Sequence, residues 1–286
     1  MTEFKMSPFV KWAGGKGQLL DTLIAKLPAH YGRYYEPFVG GGAFLLGLSP
    51  EQAAINDTNS VLINIYRQLK ENGHEVIERL KNLDSVLCDK ERYYQLRAKY
   101  NEKIMQGCTL DTEVAALMIW LNKHCFNGLY RVNKKGLFNV PWNRREKGNS
   151  FDESNLQAIG QYLRENDVLI CNEDFEDFCT QVQTGDFVYF DSPYVPVTET
   201  ANFTDYTADG FTLADHQRLA NLFDVLNDRG VFIMLSNNDT PLVHDLYGHK
   251  GYKIQSIDVK RLINCNAKKR TGKEVIITTY CRRKNR

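Results

Sequence analysis

The sequence predicts an α/β fold, a sheet domain that is discontinuous along the chain and carries an inserted helical module. Three observations lead there. Short apolar or β-branched runs alternate with helical periodicity at the N-terminal end, and the alternation returns beyond about residue 165. Between about 60 and 160 the pattern is helical and then loop-rich. The chain has 286 residues, room for two domains or one with an insertion. The expected boundaries are 1–60 plus 161–286 for the sheet domain and 61–160 for the insertion.

The elements follow in order. Residues 34–39 read as a short strand running into Gly40, Gly41 and Gly42, then an apolar helix start, AFLLGL. Residues 53–56 read as a second strand ending at Asp57. Apolar residues at 61, 62, 65, 69, 76, 77 and 80 have helical spacing, with a break near Gly73. Residues 91–126 also read as helical, and 127–150, rich in Asn, Gly and Lys, as loop. Residues 168–172, 186–190, 231–236 and 274–280 are apolar or β-branched runs bounded by turn residues, so they read as strands. Residues 212–227 read as a helix, with Leu219, Leu222, Phe223 and Leu226 on one face.

Composition is ordinary for a globular protein, 43% hydrophobic and 25% charged, so no disulfide or metal staple is required. No run of eighteen apolar residues argues for a membrane span, and the first residues have no apolar signal region. Seven widely spaced cysteines without a C-x-x-C fit a reducing cytoplasm. The histidines, His124 among them, lack metal-ligand spacing and read as packing residues.

The net charge of +1 conceals segregation. Residues 250–286 carry twelve Lys and Arg against Asp258 and Glu274, net +10. Residues 120–148 carry seven against Glu146, net +6, with aromatics interleaved. Residues 150–215 carry fourteen acids against Arg164, net −13. Two basic segments suit one phosphate-binding face, although a single charge run is ordinarily solvated surface.

Two turns carry chemistry. Glycines after the first strand let the backbone approach a ligand, and a following helix start offers N–H groups to an anion. Asp57, after the second strand, can accept both ribose hydroxyls of an adenosine ligand, or cap the helix that follows. The string at 11–16 (KWAGGK) is not a P-loop: Gly17 follows Lys16 where a hydroxyl is needed for magnesium. The second turn is Asp191-Ser192-Pro193-Tyr194, at the carboxyl end of the strand 186–190. The lone pair of an exocyclic amine is delocalised into its ring. A carboxylate and a main-chain carbonyl accepting its two N–H bonds localise that pair and disperse charge developing on nitrogen. An aromatic face beside them stacks on a base removed from its helix. The competing reading is a helix-starting turn with a packed tyrosine.

Strings at 9–16 (FVKWAGGK), 36–42 (EPFVGGG), 55–57 (IND), 126–133 (FNGLYRVN), 138–141 (FNVP) and 191–194 (DSPY) occur in this order. Together they resemble the Dam family of DNA adenine-N6 methyltransferases, in the alpha group, over nearly the whole length. The resemblance implies a Rossmann-like S-adenosylmethionine-dependent methyltransferase sheet, an inserted helical DNA-recognition domain, and direct methyl transfer to a flipped adenine in double-stranded DNA, within GATC. It implies no metal, no membrane, a monomer, and the cytoplasm of a bacterium or its phage.

By motif matching, Trp12 and Lys16 line the cofactor pocket. Phe38 and Gly40 lie near its methionine moiety, Asp57 at its ribose, and Asp174 and Phe175 beside its adenine. Asp191 touches cofactor and target amine, and Tyr194 stacks on the target. Phe126, Asn127, Leu129 and Arg131 fall at base-contacting positions, Arg131 as guanine reader. Asn133, Asn139 and Arg144 fall at phosphates. Phe138 is also compatible with a loop anchor, and Asn127-Gly128 is a turn signal in its own right. The basic run 266–273 reads as a loop near DNA phosphates. One departure stands out. The family usually has proline where this chain has Ser192. Serine keeps the main-chain carbonyl but gives up rigidity, so activity is expected, reduced in degree, and Ser192→Pro is expected to preserve methylation. Alternatives are methylation of another amine (RNA adenine, cytosine N4, a protein glutamine) and an inert DNA-binding homologue.

Overall fold

The computed structural model describes residues 5–12, 14–107, 111–195, 210–260 and 271–281. Its centre is a seven-stranded sheet in the order β3-β2-β1-β4-β5-β7-β6. The strands are β1 (Tyr34–Glu36), β2 (Gln52–Asn56), β3 (Asp167–Cys171), β4 (Phe187–Phe190), β5 (Phe232–Asn238), β6 (Lys253–Lys260) and β7 (Thr271–Thr278). Strands β1 to β5 are parallel, and β7 runs antiparallel to both β5 and β6. This is the Rossmann-like sheet that the resemblance implies. The central strands are buried along their length, β1 and β4 entirely, because helices cover both faces.

The helices are α1 (Leu20–Ile24), α2 (Ala43–Leu48), α3 (Ser60–Asp84), α4 (Lys90–Met105), α5 (Thr112–His124), α6 (Glu153–Glu165), α7 (Phe175–Cys179), α8 (Leu213–Asp228) and α9 (Pro241–Tyr247). Asp89, Asp111 and Asp152 cap α4, α5 and α6 by accepting main-chain N–H bonds. Thr212 and Asp215 form a capping box at α8.

Several expectations change in detail. The first strand stops at Glu36, because Pro37 has no N–H to continue the ladder. The break in α3 falls at Asn72, whose φ of −130° leaves the helical region, one residue before Gly73. Residues 91–126 divide into α4 and α5. The cap of α3 is Asn59, whose side chain accepts from Leu62 N at 3.1 Å, so Asp57 is free of that role. The last strand begins at Thr271, so the C-terminal part of the basic run 266–273 is sheet; its residues 266–270 lie outside the described ones. Strand β6 and helices α1, α6, α7 and α9 went unread in the sequence.

The sheet order reverses direction between β1 and β4. That is the switch point where open α/β sheets bind ligands, beyond the carboxyl ends of the strands. Both chemistry-bearing turns follow those two strands.

Candidate active site

The glycine turn is shaped by two aromatic side chains. Gly40 and Gly42 have φ of +49° and +71°, the left-handed region that favours glycine. A Cβ on Gly40 would stand 3.0 Å from Trp12 Cδ1, and one on Gly42 would strike the Tyr66 hydroxyl. Tyr66 Oη donates instead to Gly40 O at 3.0 Å. Helix α2 beyond the turn has only six residues, so backbone approach, rather than a long helix start, is what this turn offers.

Asp57 closes the other side. Its Oδ2 accepts from Gly40 N at 3.1 Å and its Oδ1 from Asn59 N at 2.9 Å. Burial outweighs these two bonds and leaves its carboxyl pushed up to about 6. The strand ends are laced by Asn56, fully buried, which bonds Pro37 O at 3.1 Å, Glu173 O at 3.0 Å and Glu173 N at 2.8 Å. Three loops are thereby held in one rim.

Phe38 lines an apolar slot beside that rim. Its ring lies 5.4 Å from Phe175 and 5.7 Å, edge-on, from Phe211. Asp174 caps α7 and pairs with Arg218 at 2.7 Å, and the Arg218 guanidinium lies 4.7 Å above the Phe175 ring.

Lys16 and Asp191 meet at the switch point. Lys16 Nζ is 2.6 Å from Asp191 Oδ1 and donates to Gly14 O at 2.7 Å. Lys16 is only 4% exposed, a buried cation that needs this partner. Burial raises the Asp191 carboxyl, and Lys16 opposes that rise. Lys16 Nζ also stands 4.8 Å from the centre of the Tyr194 ring. Tyr194 Oη and Glu274 Oε2 are both buried, and burial with the Asp191 and Glu274 carboxylates nearby pushes the Tyr194 hydroxyl up. Ser192 is 1% exposed and Pro193 half-buried.

Beneath this lies Glu36, 2% exposed, which accepts from Tyr34 Oη at 2.6 Å. Burial pushes its carboxyl up to about 8. Glu36 was missed in the sequence, as were Asn56, Arg218 and the Ser236-Asn237-Asn238 run. Polar residues at the carboxyl ends of apolar strands were the available signal.

Six of the seven residues expected at DNA lie on a hairpin over 125–142, and Arg144 follows it. Bridges Cys125↔Trp142 and Val132↔Phe138 close it. Phe126 is 50% exposed, and Asn127 and Gly128 turn the chain with φ of +58° and +67°. Arg131 is exposed, and its Nε donates to Asn139 Oδ1 at 2.7 Å, so these two are brought together. Asn133 Oδ1 accepts from Lys135 N at 2.9 Å and Leu137 N at 3.1 Å, building the hairpin tip. Arg144 is exposed with a φ of +65°. Leu129 is half-buried against the core, and Phe138 is 1% exposed, an anchor. His124 is buried against Trp120 at 4.3 Å, as a packing residue.

The hairpin and the turn at 191–194 are joined through the N-terminal segment. Asn122 Nδ2 donates to Lys11 O at 3.0 Å and Gly128 O at 3.1 Å, and its Oδ1 accepts from Lys11 N at 2.8 Å. Trp12 stacks on Tyr130 at 4.9 Å. No helix among the described residues is long and apolar enough to cross a membrane.

Comparison with known proteins finds relatives over nearly the full length. The chain is 41% identical over 280 residues to the Type II methyltransferase M1.LlaDCHI of Lactococcus lactis subsp. cremoris, covering 97% of each. It is 38% identical over 295 residues to the Type II methyltransferase M.MjaIII of Methanocaldococcus jannaschii, covering 96% of this chain and all of that one. It is 33% identical over 278 residues to the DNA adenine methylase of Escherichia coli (strain K12), covering 96% of each. A family model matches residues 12–263, the span that holds both turns and the hairpin, and the chain therefore belongs to the D12 class of N6 adenine-specific DNA methyltransferases.

Proposed function

We propose that this protein methylates N6 of adenine within GATC in duplex DNA, using S-adenosylmethionine and acting on an adenine flipped out of the helix. The observation that carries this reading is the buried Lys16–Asp191 pair at the switch point with Tyr194 beside it.

S-adenosylmethionine, when bound, supplies a methyl group already activated on a sulfonium. The residues here fit such a molecule. Asp57 has a carboxylate fixed at the end of β2 with lone pairs left for ribose hydroxyls. Phe38 and Phe175 offer apolar faces to an adenine, with Asp174 at the slot's edge. Gly40 brings the backbone close, and Trp12 and Lys16 wall the opposite side. Lys16 keeps Asp191 ionised against its burial. The Asp191 carboxylate and the main-chain carbonyl of Ser192 accept the two N–H bonds of the target amine. They localise its lone pair and disperse the positive charge that develops on nitrogen. Pro193 holds the carbonyl's direction, and Tyr194 stacks on the flipped base.

Residues 61–160 serve as the target-recognition module and 1–60 with 161–286 as the catalytic one. Phe126, Asn127 and Leu129 face bases. The Arg131 fork exchanges Asn139 for guanine O6 and N7. Asn133, Asn139 and Arg144 lie along phosphates. The protein acts as a single chain in the cytoplasm, since methylating one strand at a time requires no two-fold partner. The Type II names of two relatives favour a place in restriction–modification.

The test is sequencing that detects modified bases, on plasmid from a methylation-free host expressing the protein. Modified adenine within GATC is expected, and Asp191→Ala abolishes it while duplex binding survives. Modification at another sequence removes the GATC assignment from 126–131. No modification, with soluble protein present, turns the reading to an RNA substrate or an inert binder. Near-normal rates in Asp191→Ala would refute the catalytic assignment.

A further inference from the structure

Strand β5 extends past its neighbour β4 by three polar residues, Ser236, Asn237 and Asn238, at 0%, 3% and 2% exposure. Each of them holds a residue of the turn that follows β4. Ser236 Oγ donates to Asp191 Oδ1 at 3.1 Å and shares a 2.8 Å bond with Tyr189 Oη. Asn237 Nδ2 donates to Ser192 Oγ at 3.2 Å. Asn237 Oδ1 accepts from Val195 N at 3.3 Å and Asn238 N at 2.8 Å. Asn238 Nδ2 donates to Val195 O at 2.7 Å. Both ends of the turn are thus tied to one rigid strand.

The bond between Asn237 and Ser192 is of a special kind. A proline at 192 has no atom to accept it, so this bond exists only because the chain carries serine there. Both partners are buried, where a hydrogen bond has no competing water and an orphaned amide is costly. The torsions of residue 192 set where its carbonyl points. A side chain fixed by Asn237 limits those torsions from outside, as a pyrrolidine ring limits them from within.

We propose that Asn237 is a positioning residue for methyl transfer: its hydrogen bond to the Ser192 hydroxyl aims the Ser192 carbonyl at the target amine, replacing the rigidity that proline supplies at this position. The inference rests on the reading of Asp191–Tyr194 as the catalytic turn.

The experiment is steady-state and single-turnover methylation of a GATC duplex by the full chain, with Ser192→Ala, Asn237→Ala and the double variant, and Asp191→Ala alongside. Thermal unfolding of each variant reports folding. Ser192→Ala removes one oxygen from a packed site and keeps the main chain. Each single variant should lower the single-turnover rate about tenfold, the scale of a slightly misaimed reacting group. KM for S-adenosylmethionine should stay within about twofold, because neither side chain faces Asp57 or Phe38. The double variant should fall no more than about threefold below the slower single one, since both remove the same bond. In a Ser192→Pro background, Asn237→Ala should cost less than in the parent. Parental rates in Ser192→Ala, or losses that multiply fully in the double variant, overturn the inference. If those outcomes appear while Asp191→Ala is inactive, only the role of Asn237 fails. If Asp191→Ala is active, the reading of the turn itself fails.

Discussion

At the residue scale, two acids under the sheet's carboxyl edge are held for different tasks. Burial raises the Asp191 carboxyl, and Lys16 at 2.6 Å opposes that rise, favouring the charged form that accepts a hydrogen bond from an amine. Glu36 forms no ion pair among the described residues and takes its bond from Tyr34, and burial pushes it up to about 8 although Lys16 opposes the rise. Near neutral pH it is largely protonated, which spares Asp191 a second buried negative charge. A raised folded pKa has a definite sign in stability. Glu36 costs nothing below its unfolded value near 4.5, and its penalty grows as pH climbs from there to about 8. Glu36→Gln should therefore remove part of the fall in Tm between pH 5 and pH 8, measured by thermal unfolding in matched salt. An unchanged slope would show that Glu36 is not the group responsible. The sequence marked Asp191 because a turn of distinctive residues surrounds it. It gave no comparable sign for Glu36, whose role comes from lying under Asp191 and Lys16 in space.

At the element scale, the hairpin over 125–142 is short of ladder bonds and gets its shape from helix α4. Asn101 bonds both main-chain groups of Phe138, Nδ2 to O at 3.0 Å and Oδ1 from N at 2.9 Å. Tyr93 Oη and Arg97 both donate to Val140 O, at 2.8 and 3.1 Å. These clamps lie on the strand opposite Arg131. Asn101→Ala should weaken duplex binding several-fold and leave S-adenosylmethionine binding unchanged, as titration of each ligand would read. Equal weakening of both would place the effect in the fold and not the hairpin. The loop composition of 127–150 was legible in the sequence; its pairing was not, because two isolated bridges leave no period-two pattern. The edge strand β3 shows a related economy. Its outer carbonyls at Val168 and Ile170 accept from Lys70 Nζ at 2.7 Å and Arg67 at 3.2 Å. Those cations occupy an edge that would otherwise invite another strand.

At the scale of the whole molecule, the N-terminal segment links the hairpin to the switch point of the sheet. One end holds Asn122 and Tyr130 of the inserted region, and the other delivers Lys16 to Asp191. Asn122 is 2% exposed and satisfies Lys11 and Gly128 together. Asn122→Ala should raise KM for the duplex and lower the rate of transfer together, while the loss of stability stays within about 2 kcal/mol, the scale of buried hydrogen bonds lost. A change in KM alone would mean that the segment carries no influence to Lys16.

The sequence by itself determined the fold class, the order of the chemistry-bearing turns and the acids at strand ends. Those features are local: a strand, a turn and a cap are written in neighbouring residues, and their spacing survives without knowledge of what lies opposite. Tertiary structure alone decided that β1 and β4 lie side by side, that Lys16 pairs with Asp191, and that Ser236, Asn237 and Asn238 grip the turn that follows β4. Those pairs are separated by many tens of residues, and a buried polar atom takes whichever partner the sheet order brings within reach.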